Sequence, residues 1–115
     1  MKKVMLVVFN GEEMCFIHVL LNALDMSEKS WDAGIIMEGA STRLIPELER
    51  KEHFLNGLWV RAKEKELLEG ACRACSNKMG TLEAAEEAGL RLLGDMSGHP
   101  ALSNYMDRGF TIMTF

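Results

Sequence analysis

Proline is scarce in this chain, with two residues in 115, so no proline-rich linker divides it. Long apolar runs are missing. The longest early run, Val4 to Phe9, has six residues. That is far short of the roughly 20 needed to span a bilayer, and shorter than a signal peptide's apolar core. Lys2 and Lys3 mimic the start of a signal sequence, but Asn10, Gly11, Glu12 and Glu13 close it with no small-residue cleavage site. A cytoplasmic protein with no membrane partner is expected. Basic charge is not in excess either: 13 Lys and Arg face 17 Asp and Glu, a formal charge of −4. This argues against a nucleic-acid partner held by phosphate neutralisation. Cysteine is limited to three, an odd number that suits thiols, catalysts or ligands better than a disulfide framework. Repeats and low-complexity segments are absent, so a single domain over residues 1–115 is expected. What remains is 48 % hydrophobic and 26 % charged, which excludes disorder and suffices for a core without staples.

Lys3 to Phe9 is apolar almost without interruption and ends at Asn-Gly, as in a strand buried on both faces of a parallel sheet. Glu12 to Lys29 lacks Pro and Gly and predicts a helix with acids in its first turn. Ala33 to Glu38 is a second strand. Ser41 or Thr42 is expected to cap a helix to about Lys51, and Phe54 to Leu68 to form another. Gly70 to Ala74 is a weak strand, Thr81 caps a short helix through Ala88, and Leu90 to Leu93 is a further strand. Pro100 opens a helix to Arg108, and Phe110 to Phe115 closes the chain as a strand. This alternation predicts an α/β fold: a small doubly wound domain of about five mainly parallel strands with helices on both faces. Its site is expected beyond the strands' carboxyl ends, which carry Asn10, Gly39 to Ser41, Cys75 to Asn77, and Asp95 to His99.

The segment from Gly70 to Gly80 holds Cys72, Cys75, Arg73 and Lys78 and no acid, in an otherwise Glu-rich neighbourhood. Such cations and a following helix favour a thiolate nucleophile at Cys75. If residues 72 to 75 are extended, their Cα atoms lie roughly 10 Å apart, too far for a disulfide. Cys72 is then expected in the core and Cys75 at the strand's end. A thiol–disulfide redox pair is the competing reading. Zinc needs four ligands, and no second pair is evident: Cys15 and His18 read as a buried pair on one helix, while His53 and His99 stand alone. No metal and no cofactor are expected.

The order KVMLVVF, Asn-Gly, long helix, then Ala-Cys-Ser-Asn-Lys-Met-Gly, Gly-Leu-Arg-Leu-Leu and Gly-Phe-Thr-Ile-Met-Thr-Phe resembles the DsrE/DsrF-like sulfur-relay proteins, which include the TusD-type sulfurtransferase subunits. The resemblance implies a homo-oligomer, often a trimer or hexamer. It also implies a persulfide-carrying cysteine after the third strand, at the position of Cys75, that exchanges sulfur with a donor or acceptor protein. In a carrier of this kind Arg73 and Lys78 are expected to stabilise anionic forms and Ser76 or backbone N–H groups to hydrogen-bond the terminal sulfur, with Cys72 nearby; Asn10, Asp95 and His99 are expected to line the pocket from their strand-end positions alone. Oligomerisation also draws on the first helix, apolar on more than one face at Phe16, Ile17, Val19, Leu20 and Leu21. A non-catalytic oligomeric binding protein is the alternative from a different class.

Overall fold

Lys3–Val8 forms β1, an inner strand of the computed structural model, which describes all of residues 1–115. It pairs in parallel with β2 (Asp32–Met37) on one side and β5 (Thr111–Thr114) on the other. β3 (Leu68–Cys72) and β4 (Leu92–Leu93) extend the sheet, again in parallel, in the order β4-β3-β2-β1-β5. The chain thus builds outward from β1 to β4 and then returns to β1's other edge. The fold is the doubly wound α/β sheet expected from the sequence.

Buried strands need apolar side chains on both faces, and β1 divides them by simple alternation. Val4, Leu6 and Val8 join the main core, whereas Met5 and Val7 point to the opposite side. The main core receives α1 (Glu13–Glu28), α2 (Ile45–Leu48), α3 (Asn56–Glu64) and α5 (Leu82–Glu87) through residues such as Phe16, Leu20, Leu48, Trp59 and Ala85. Each large side chain fully buried there contributes about 1.5–3 kcal/mol. The opposite face carries only α6 (Leu102–Asp107), where Tyr105 and Phe110 cover Met5, Val7 and Ile36.

Several local expectations change. Residues 39–44 form a 3₁₀ turn before α2. Ser41 and Thr42 do not cap a helix, because their hydroxyls donate to the carbonyls of Val8, Glu38 and Gly39. Leu68 belongs to β3, not to a helix: α3 stops at Glu64, and Glu66 takes a positive φ of 59° where glycine is usual. α1 is covered on one side only, leaving Met14 and Leu21 exposed, and His18 lies at the surface, not buried beside Cys15. Gly70 answers a close approach. It sits beside a register shift between β2 and β3, and a Cβ there would lie 2.5 Å from the Arg91 carbonyl oxygen.

Candidate functional site

The strand that carries the cysteines ends at Cys72, not after it. Cys72 has extended backbone angles and caps a six-residue helix, α4 (Arg73–Lys78), its Sγ accepting the Cys75 N–H at 3.4 Å. A thiol thus fills the place usually taken by Ser, Thr or Asp. The chain turns between the two cysteines, so the extended-chain separation does not apply and both sulfurs reach one spot. Cys72 is fully buried and Cys75 half-buried.

His99 does not stand alone. Met96 and His99 pair through two backbone hydrogen bonds of 2.8 and 2.9 Å, with Ser97 and Gly98 between them at φ of 52° and 91°. Positive φ at both central residues is the tight hairpin turn for which a glycine is favoured. The Gly98 carbonyl accepts the Ala74 N–H at 2.9 Å, locking the turn onto the start of α4. The imidazole Nδ1 consequently lies 3.1 Å from Cys72 Sγ and 3.8 Å from Cys75 Sγ.

Glu38 completes the group. It follows Met37 of β2, and since Met37 faces the main core, alternation turns Glu38 to the α6 side, as it turns Cys72 after Ala71. Ligand atoms of Glu38, Cys72, Cys75 and His99 all lie within 4.8 Å of one another. Glu38 is 7 % exposed and takes part in no ion pair with lysine or arginine. Burial raises its carboxyl above the usual range, opposed by His99 and by the Cys72 thiol. Burial likewise pushes the Cys72 thiol up to about 12; Cys75 and Glu38 also raise it, while the Cys75 N–H pulls it down. Cys72 is therefore a protonated thiol at neutral pH.

The remaining expected site residues divide. Lys78 lines a shallow pocket of about 190 Å³ with Ala74, Cys75, Met79 and His99. Arg73 is exposed, and its side chain lies along Gly94. Ser76 is one residue further round the helix, fully buried, with its Oγ enclosed and unpaired, so it does not line the Cys75 pocket. Asn10 is not brought to the cysteines; its Oδ1 accepts the Glu12 N–H at 2.7 Å ahead of α1. Asp95 accepts the Ala101 N–H and the Asn104 amide, tying the His99 loop to α6, and it borders a different cavity. Glu38 was missed by sequence reasoning. Its signal is an acid placed directly after the buried run Ala33 to Met37 of a parallel strand.

Fold and site define a small doubly wound α/β domain with a thiol–imidazole–carboxylate cluster at the carboxyl edge of its sheet. No protein-family model matches the chain. The chain is similar to an uncharacterised protein of Methanocaldococcus jannaschii, 29 % identical over 96 residues that cover 84 % of this chain and 76 % of that one. It is 38 % identical over 45 residues to an uncharacterised protein of Archaeoglobus fulgidus, 39 % of this chain and 72 % of that one. The chain belongs to the same family as this Archaeoglobus protein. A solved structure of a conserved protein of unknown function from Bacteroides thetaiotaomicron shares the fold. Its TM-score is 0.71 over 98 % of this chain and 95 % of that one, at 18 % identity. No helix is long and apolar enough to cross a membrane.

Proposed function

We propose that the protein is a sulfur carrier of the DsrE/DsrF-like kind, holding sulfane sulfur as a persulfide on Cys75 and passing it to a partner protein. The observation that supports this is the inequality of the two thiols. Cys75 is half-buried in a small pocket beside Lys78 and His99, whereas Cys72 is enclosed and protonated. The Cys75 thiolate attacks the outer sulfur of a persulfide or thiosulfate donor. The donor's S–S bond breaks as the bond to Cys75 forms, and the donor leaves as thiolate or sulfite. A partner's thiolate then attacks the outer sulfur and Cys75 leaves as thiolate. One S–S bond replaces another in each step, so no external oxidant is consumed. His99 Nδ1, 3.8 Å from Cys75 Sγ, accepts or returns the thiol proton, and Lys78 stabilises the anion. The same reading makes the protein a homo-oligomer, a trimer or hexamer, with exposed Met14, Leu21 and Phe54 as apolar contact residues.

Mass spectrometry of the reduced, chelator-treated protein after thiosulfate or polysulfide tests the reading. Wild type and Cys72→Ser should each gain about 32 Da per sulfur on the Cys75 peptide, reversibly, and Cys75→Ser should gain nothing there. Absence of any adduct leaves a non-catalytic binding protein. A Cys72–Cys75 disulfide, which the shared position of the two sulfurs favours as the second reading, would make this a thiol–disulfide redox protein instead.

A further inference from the structure

We infer that Glu38, Cys72, Cys75 and His99 form a closed tetrahedral site for a divalent metal of the zinc class. Bonds of about 2.3 Å to sulfur and about 2.0–2.1 Å to nitrogen give a ligand tetrahedron with edges of about 3.8 Å between sulfurs and about 3.6 Å from sulfur to nitrogen. The two sulfur–nitrogen separations here, 3.1 and 3.8 Å, bracket that edge, and no pair of donor atoms exceeds 4.8 Å. Small side-chain adjustments suffice to bring all four onto one ion.

Charge points the same way. A buried carboxylate is costly unless a cation meets it, and Glu38 faces an imidazole and a thiol but no lysine or arginine ion pair. A divalent ion gives the carboxylate a directly bonded cation, and with both thiols deprotonated the occupied site keeps a net charge of −1. Two thiolates and an imidazole select zinc-class metals over magnesium or calcium, which prefer all-oxygen shells. The donors come from three segments already fixed by backbone: the end of β2, the capped start of α4, and the Met96–His99 turn held by the Gly98–Ala74 hydrogen bond. Binding converts both thiols to thiolates and releases their protons to solvent.

This site goes beyond the sulfur-carrier reading, and the two compete for one atom: Cys75 bound to metal cannot hold a persulfide. The experiment titrates the reduced, chelator-treated full chain with cobalt(II), then displaces it with zinc. One equivalent should give the intense tetrahedral d–d and thiolate-to-cobalt bands, and zinc should abolish them. Cys75→Ser and His99→Ala should weaken binding at least 100-fold, and Glu38→Gln about 10- to 100-fold. Cys15→Ser should bind as wild type. The Cys75, His99 and Glu38 variants carry the test, each checked for native circular dichroism, and Cys72 stays in place because it also caps α4. The inference is overturned by the lack of a saturating one-to-one spectrum, by weak six-coordinate bands, or by binding that survives both Cys75→Ser and His99→Ala. Persulfide uptake without metal binding sinks only this site. Metal binding without sulfur uptake sinks only the carrier.

Discussion

Tyr105 is the single tyrosine of the chain, so its ionisation can be followed by phenolate absorbance in the intact protein. Its hydroxyl donates to Glu69 at 2.9 Å, and its ring meets Phe110 edge-on at 6.1 Å, joining α6 to the sheet. Burial first, then Glu69, push the phenol up against the opposing Arg91 and Arg108, to about 12. In the unfolded chain it titrates near 10. A raised acid favours the neutral form in the native state. The contribution to stability is therefore complete below about pH 10 and lost as pH rises from about 10 to about 12. At pH 11 the loss is about 1.4 kcal/mol, reduced to about 1 kcal/mol by solvent screening. Tyr105→Phe removes the hydrogen bond and should cost about 1 kcal/mol at pH 8. Its deficit against wild type, measured by urea unfolding, should therefore close near pH 11. An absorbance midpoint in native protein at or below about 10.5, or a deficit equal at both pH values, would refute the reasoning.

Three further outcomes rest on packing and exposure. Gly70→Ala places a methyl 2.5 Å from a backbone carbonyl and should destabilise by about 3 kcal/mol, lowering the melting temperature by roughly 10 °C. Gly57→Ala in α3 meets nothing within 4 Å and should stabilise by about 0.5–1 kcal/mol; opposite signs in the two melts check the packing argument. Light scattering at micromolar concentration should return a trimeric or hexameric mass, and a monomer would remove the assembly from the functional reading.

The parallel sheet was legible because β1 and β2 are apolar on both faces and punctuated by Asn-Gly and Glu-Gly, leaving no room for a half-solvated antiparallel arrangement. Boundaries failed where an unusual residue did a familiar job. Glu66 ends α3 in a left-handed conformation that glycine normally marks, and Cys72 caps α4 in place of an oxygen. Both residues hide the signal, so the sequence alone extends α3 to Leu68 and shows no helix at α4.

The candidate site was half legible for a related reason. Cys75 announced itself by local sequence, through its cationic neighbours and the cysteine three residues before it. Glu38 and His99 lie 34 residues before and 27 after Cys72 in the numbering, and only topology unites them. β2 is β3's neighbour, so the end of one strand abuts the end of the other. The next connection, returning to α6 on the face where Glu38 and Cys72 emerge, must pass over that same edge. The Ser97-Gly98 pair then turns it so that the following histidine faces the thiols. In a doubly wound sheet, residues at strand ends are candidates for one site even when their local sequence looks bland, and an acid that ends an apolar strand is the one to place first.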